Sequence, residues 1–403
     1  MPDSLLSSVR RAALALVSTQ GIKGLSLRAL AQQMGLSLGS LSYRVGDKSA
    51  LTALILNQEE KERVAWRAQW IERTALLDLT QPRILAAVLC AYLDEAAYNQ
   101  REASILFCEL LLDAMRVPEN YSGLLDLIGE EERFWTQMLG PRHPAADLLG
   151  PAIAAYCRDE LPFTLAANGD PDYRLLRMAT ISRVTEGLAG RGADLAPHFG
   201  TLTAAMARGG PLQDAAADLP EGSRKAELAE HVAALILESG VASVTHRLVA
   251  AHAGVSNSSI AHHFRTSREL VEAGLNALIL RARNALRSEP LDDVHGLAMV
   301  RATHSIALAA TRDPMLVPAA IDMRRRRAEN VRARMADRLG GVEAIDPAGI
   351  QAALMILAGF GYPLHIRDGA QASRLGVEEQ LIALRTTCTA IGLGATRSET
   401  GRS

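Results

Sequence analysis

The feature that most constrains this chain is a segment written twice. Residues 21–51 align with residues 240–270 without a gap, at a constant offset of 219 positions. Seven of the 31 positions are identical: Gly21/Gly240, Arg28/Arg247, Ala31/Ala250, Gly35/Gly254, Ser37/Ser256, Ser40/Ser259 and Leu51/Leu270. Others exchange one apolar residue for another, as at Leu30/Val249, Leu36/Val255, Leu41/Ile260 and Val45/Phe264. Glycines, small polar residues and an apolar rhythm are what set turns, caps and a buried face. A repeat at this spacing in a chain of 403 residues implies two bodies of about 200 residues, each long enough for its own core.

Each copy reads as three short helices. In the first, a helix over Ser7–Gln20 turns Leu14, Leu16 and Val17 inward and stops at Gly21, since glycine accepts a left-handed conformation at little cost. Ser26 caps a second helix on which Leu27, Leu30, Ala31 and Met34 recur at helical spacing, and Gly35 ends it. A turn through Gly35, Leu36 and Ser37 enters a third helix at Leu38, with Ser37 as its cap. Thr245, Gly254 and Ser256 hold the same places in the second copy. Such a helix-turn-helix suits duplex DNA, because its second member can lie in the major groove while the turn fixes its angle. Alanine and leucine dominate the rest, aromatics are only 4%, and strand-like alternation is scarce, so the expected fold class is all-α.

The net charge of −2 conceals local asymmetry. Residues 1–58 hold six Lys/Arg against two Asp/Glu, and residues 222–287 hold eight against five, so the duplicated segments are basic enough for nucleic acid. With no window of 18 uncharged apolar residues and no leader with a cleavage site, a cytoplasmic protein with no membrane partner is expected. Cys90, Cys108, Cys157 and Cys388 form neither a CxxC nor a Cys/His cluster and read as core thiols, with no metal and no cofactor. His262 and His263 are adjacent, so on a helix they point apart. No nucleophile, phosphate loop or metal spacing converges, so no enzyme is expected; an all-helical enzyme and a protein-binding scaffold are the competing classes.

The duplicated motif resembles the DNA-binding domain of the TetR (tetracycline repressor) family. The first copy supplies Ser26, Arg28, Leu30, Ala31, Gly35, Leu36, Ser37, Gly39, Leu41, Tyr43, Val45, Lys48 and Leu51. The second supplies Thr245, Arg247, Val249, Ala250, Gly254, Val255, Ser256, Ile260, His263, Phe264 and Leu270. The resemblance implies a helical ligand-binding and dimerising body behind each head, and repression relieved by a small molecule. It places Arg28, Tyr43 and Lys48 on the DNA backbone, with Ser26 and Ser37 at the caps, and Gly39, Ser40 and Ser42 on the exposed recognition helix. In the second head the equivalents are Thr245, Arg247, Ser256, Asn257, Ser258, Ser259 and His262, asparagine being suited to adenine. That head departs from the pattern: Ser267 replaces the lysine, with Arg265 and Arg268 nearby, and Ala261 holds the family's tyrosine position. Because the recognition helices differ, the expected partner is a double-stranded operator with two unlike half-sites rather than a palindrome. An activator, and a protein whose second head is degenerate, are the alternatives within regulation.

These readings divide the chain into a first head (residues 1–50), a helical regulatory domain (51–208), a linker (209–222), a second head (223–270), a second regulatory and assembly domain (271–396) and a disordered tail (397–403). Stops are expected at Gln81-Pro82, Val117-Pro118, Gly140-Pro141, Gly150-Pro151 and Gly169-Asp-Pro171. Tyr92, Phe107, Cys108, Met115, Phe134 and Trp135 either line a cavity for an apolar or aromatic effector or form solid core. By the resemblance, Pro151–Ala167 with Asp172–Leu188 make one assembly face, and Ala348–Ile366 with Val377–Leu393 its counterpart. If the two pack together the chain is its own pseudo-dimer; otherwise a homodimer forms. The run Arg324–Arg327 reads as a solvated helix face.

Overall fold

A computed structural model describes residues 3–121, 123–188, 198–207, 219–288, 293–329, 332–339, 345–368, 379 and 381–387. The fold is all-α: the described residues contain no strand. In chain order the helices are α1 (Asp3–Gln20), α2 (Leu27–Gln33), α3 (Leu38–Val45), α4 (Lys48–Thr74), α5 (Pro82–Tyr98), α6 (Arg101–Ala114), α7 (Leu124–Leu139), α8 (Ala146–Ala167) and α9 (Pro171–Thr185). There follow α10 (Phe199–Ala207), α11 (Arg224–Ser239), α12 (His246–Ala253), α13 (Asn257–His263), α14 (Ser267–Ser288), α15 (Asp293–Ala310), α16 (Val317–Arg325), α17 (Arg332–Arg338) and α18 (Pro347–Asp368). Packing sorts them into two compact units, residues 1–199 with 333–403, and residues 200–332.

In the first unit, α1–α3 form a head on a bundle of longer helices. The turn signals act as local chemistry dictates. Pro82 opens α5, where its missing N–H costs nothing, and Asp170 caps α9 by accepting from the Tyr173 amide at 2.9 Å. Gly140 stops α7 at φ 66°. The exception is Gly150-Pro151, expected to break the chain: α8 runs straight through it and carries Pro162 as well. Each proline removes one helical hydrogen bond, but α8 is buried along nearly its whole length. Gly150 is the contact that holds it, since a Cβ there would stand 2.7 Å from the Thr136 amide nitrogen of α7. The helix therefore begins at Ala146 rather than Pro151, and α1 begins at Asp3 rather than Ser7.

The late helix α18 belongs to this same unit, packed on α8 and α9. It is the one described helix long and apolar enough to cross a membrane, and its apolar surface is mostly taken up by that packing. Arg158 of α8 reaches the Gly359 carbonyl at 2.8 Å, Arg183 of α9 pairs with Asp346 at 2.7 Å, and His365 Nε2 donates to the Met115 carbonyl at 3.1 Å. Of the expected Val377–Leu393 helix, residues 381–387 are described and helical, with Leu381 and Leu384 buried. Residues 208–218, which hold most of the expected linker, the tail and Cys388 lie outside the described residues. Cys108 and Cys157 are buried and Cys90 half-buried, all free thiols.

In the second unit α11–α13 form the other head, and α14 packs along α11, where Gly274 lies so close to Val232 and Ile236 that a Cβ would overlap them. The arginine run on and after α16 is not the solvated face expected of it. Arg324 and Arg327 are buried, and Arg327 donates to Thr303 Oγ1 at 3.3 Å and lies 3.1 Å from His304 Nε2. Arg325 and Arg326 both pair with the buried Asp322, at 2.5 and 2.9 Å. A carboxylate three and four residues upstream holds these two on one face.

Candidate nucleic-acid interface

The two heads repeat one another in their caps and turns. Gly21 and Gly240 have φ 70° and 77°, and each is followed by a single 3-10 turn, Ile22–Gly24 and Val241–Ser243. Ser26 accepts from the Ala29 amide at 3.1 Å, and Thr245 from that of Leu248 at 3.2 Å. Gly35 and Gly254 make the turn in the left-handed region, φ 66° and 65°, where a side chain would be strained. Behind each, a turn amide donates back into the helix, Leu36 to the Ala31 carbonyl at 2.9 Å and Val255 to that of Ala250 at 3.0 Å. Ser37 then accepts from Ser40 at 3.1 Å and Ser256 from Ser259 at 3.2 Å, starting the two third helices.

One face of each third helix is consumed by the head's own core. Leu41 and Val45 are buried on α3, as are Ile260 of α13 and the following Phe264, which fills the place of Val45. The opposite face is open. Gly39 and Tyr43 are exposed and Ser40 and Ser42 half-buried, Tyr43 keeping 93% of its surface free. On α13, Asn257, Ser258 and His262 are exposed and Ser259 half-buried. His262 stands where Tyr43 does and Ala261 where Ser42 does, so the second head keeps a planar polar ring at the Tyr43 position. Ser42 Oγ donates to the Gly46 carbonyl at 3.3 Å, and the Ser256 and Ser258 hydroxyls meet at 2.8 Å.

The cations surround these faces. Ser26, Arg28, Ser37 and Lys48 in one head, and Thr245, Arg247, Ser256 and Arg268 in the other, are all exposed. Arg28 and Arg247 occupy the first turn of their helices, beside unsatisfied amides and the positive end of the helix dipole, where a cation is locally unfavourable and an incoming anion is stabilised. Arg268 differs from Lys48: Glu272 pairs with it at 2.7 Å and raises its pKa. One contact has no counterpart in the first head: His246 Nε2 donates to the Phe264 carbonyl at 2.8 Å, tying α12 to the end of α13.

The first head is fastened to its body by buried charge. Glu59 of α4 takes Arg10 of α1 at 2.6 Å and Arg63 at 3.5 Å, and Arg63 donates onward to the Ala103 carbonyl at 2.8 Å. Glu109 of α6 accepts from the Ile22 amide at 3.2 Å. Burial is the largest cause of the lowered pKa of the neighbouring Lys23. In the body, Tyr92 lies against Trp66 (4.8 Å between centroids), Trp135 (4.9 Å), Trp70 and Phe134 (both 5.7 Å). Phe107 lies under the Arg63 guanidinium at 4.4 Å, and Cys108 and Met115 are buried on and just after α6. All six residues singled out for an effector are thus buried; Trp66 and Trp70, which complete the cluster, were missed because their helix leaves the head as a charged, weakly apolar sequence.

Residues 232–273 match the family model of bacterial regulatory proteins, tetR family, a span holding most of the second head and the start of α14. No curated protein matches the chain. The match supports a DNA-binding transcription regulator of the TetR family, and it falls on the segment whose caps, turn and open face are described above.

Proposed function

We propose that the chain is a transcriptional repressor that reads an asymmetric operator with two non-identical TetR-type heads and releases it when a small molecule binds. One observation carries this reading: the same caps, glycine turn and buried seam occur at residues 26–51 and 245–270, while the exposed residues of the two third helices differ. Alike scaffolds with unlike faces are what two different half-sites require. Gly39, Ser40 and Ser42 read one half-site, and Asn257, Ser258, Ser259 and His262 the other, with Arg28, Tyr43, Lys48 and Arg247 on phosphates.

The chain acts as an intramolecular pseudo-dimer. Support comes from α18, a helix of the second half that lies on α8 and α9 of the first through Arg158, Gly359, Arg183 and Asp346. The effector is apolar or aromatic and enters among Tyr92, Phe107, Cys108, Met115, Phe134 and Trp135. Displacing those rings would shift α4 and α6, to which Arg10 and Ile22 anchor the first head. Footprinting of the purified protein on genomic DNA tests the reading: two unlike half-sites about one helical turn apart are expected. A perfect palindrome, or no protection at low ionic strength, refutes it.

A further inference from the structure

We propose that His231 and His252 form a site for a divalent first-row transition metal of the zinc, nickel or copper class, which clips α11 to α12 in the second head. The two residues lie 21 positions apart on different helices, yet their Nδ1 atoms stand 3.1 Å from each other. Two imidazole nitrogens can come this close only by sharing something. Without an ion it is a proton, one ring donating and the other offering its lone pair. A metal fits the same spacing: with bonds of about 2.0–2.1 Å, two cis nitrogens stand about 2.9 Å apart at a right angle and about 3.3 Å apart at a tetrahedral one. The rings are inclined at 72°, His252 is exposed and His231 half-buried, so the small swing that brings both lone pairs onto one ion is open to them.

The donor set selects the ion. Two imidazoles suit zinc, nickel and copper(II), whereas magnesium and calcium demand oxygen ligands. Among the described residues no group of three or more His, Cys, Asp or Glu converges, so water completes the coordination and the site binds reversibly. The first head has Ala12 and Gln33 at the corresponding positions, so only the second head responds. Metal binding to the folded pair holds α12 on α11 by mass action. Since α12 leads through Gly254 into α13, this steadies the second head's reading helix, a consequence that rests on the DNA-binding function proposed above.

The test uses the full chain without an affinity tag, titrated calorimetrically with zinc chloride and, separately, nickel chloride. His231→Ala and His252→Gln carry the residues of the first head, and their melting without metal checks that they fold. The wild type should bind one more equivalent than either variant, or bind it at least about tenfold more tightly, since even an outer-shell partner is worth about 10–100-fold. Titrations that superimpose for all three overturn the site. A second arm compares footprints in zinc and in chelator: zinc should strengthen protection over one half-site, and not in the variants. If the titration difference is present but no DNA is bound in either condition, the site stands and the DNA-binding reading falls.

Discussion

Arg158 donates from Nη1 to the carbonyl oxygen of Gly359 at 2.8 Å, across 201 residues of chain. The bond requires α8 and α18 to approach at backbone distance, and the glycine is what permits it: a Cβ at 359 would stand 1.9 Å from the Ala155 carbonyl oxygen. Arg158 is fully buried and also pairs with Glu131 at 3.2 Å, so parting the helices would leave a buried cation short of an acceptor.

Gly359→Ala should therefore destabilise the first unit by about 3 kcal/mol, the upper range for overpacking a well-filled contact. Gly169→Ala is the control, because nothing lies within 4 Å of a Cβ there and its φ is not in the left-handed region. It should be neutral or slightly stabilising. Urea unfolding of both variants gives the comparison; equal midpoints would show that α18 does not depend on this approach.

The caps allow a paired experiment on the heads. Ser37→Ala and Ser256→Ala each remove one side-chain acceptor, from the Ser40 and Ser259 amides. Each should cost about 1 kcal/mol. Ser256→Ala also strands the Ser258 hydroxyl on an exposed surface, where water replaces it, so the two costs should match within a few tenths. Thermal melts of the two variants check this, and a large inequality would mean that the two caps are not equivalent.

These caps and turns were legible in sequence because they are local: a serine three residues before an amide, a glycine where φ must be positive. The contacts that assemble the units were not. Arg158 with Gly359, Ile22 with Glu109 and His231 with His252 join residues that no periodicity relates. The arginine run misled for a related reason, since charge alone does not report burial; the one local hint was Asp322, spaced to hold Arg325 and Arg326. Pro151 misled because a proline's lost hydrogen bond is a fixed local cost, whereas the burial of α8 that outweighs it is set by α7 and α18.

If the exposed cations meet phosphate, Arg28→Ala, Lys48→Ala and Arg247→Ala should each weaken operator binding and make log K against log salt shallower by about 1. Arg268→Ala should do less. Its guanidinium is already engaged by Glu272 at 2.7 Å, so it offers less to a phosphate than the other three cations do. Fluorescence anisotropy on the footprinted operator over a salt series measures all four. A scaffold protein would return four unchanged curves.

Alkaline pH should unfold the first unit early, and the aromatic cluster says where. Burial pushes the Tyr92 hydroxyl up to about 12 against the opposing pull of Arg67, and burial likewise pushes the Cys108 and Cys157 thiols up. The folded state thus holds protons that the unfolded chain gives up at about 8.5 for cysteine and about 10 for tyrosine. For an acid whose folded pKa is raised, the stabilisation is complete below the unfolded value and is lost as pH climbs toward the folded one. Stability should be flat to about pH 8 and then decline, with the tyrosine share, on the order of 3 kcal/mol, falling between about 10 and 12. Tyr92→Phe should cost little at neutral pH, because the Arg67 contact is long at 3.4 Å, and should make the decline in that window shallower by the Tyr92 share, the buried thiols and Tyr121, whose hydroxyl burial also pushes up, supplying the rest. All three tryptophans of the chain, Trp66, Trp70 and Trp135, lie against Tyr92, so intrinsic fluorescence in urea at pH 8 and pH 11 reports on this cluster directly. Midpoints that drop equally in wild type and variant would mean that Tyr92 ionises as freely in the fold as in the open chain.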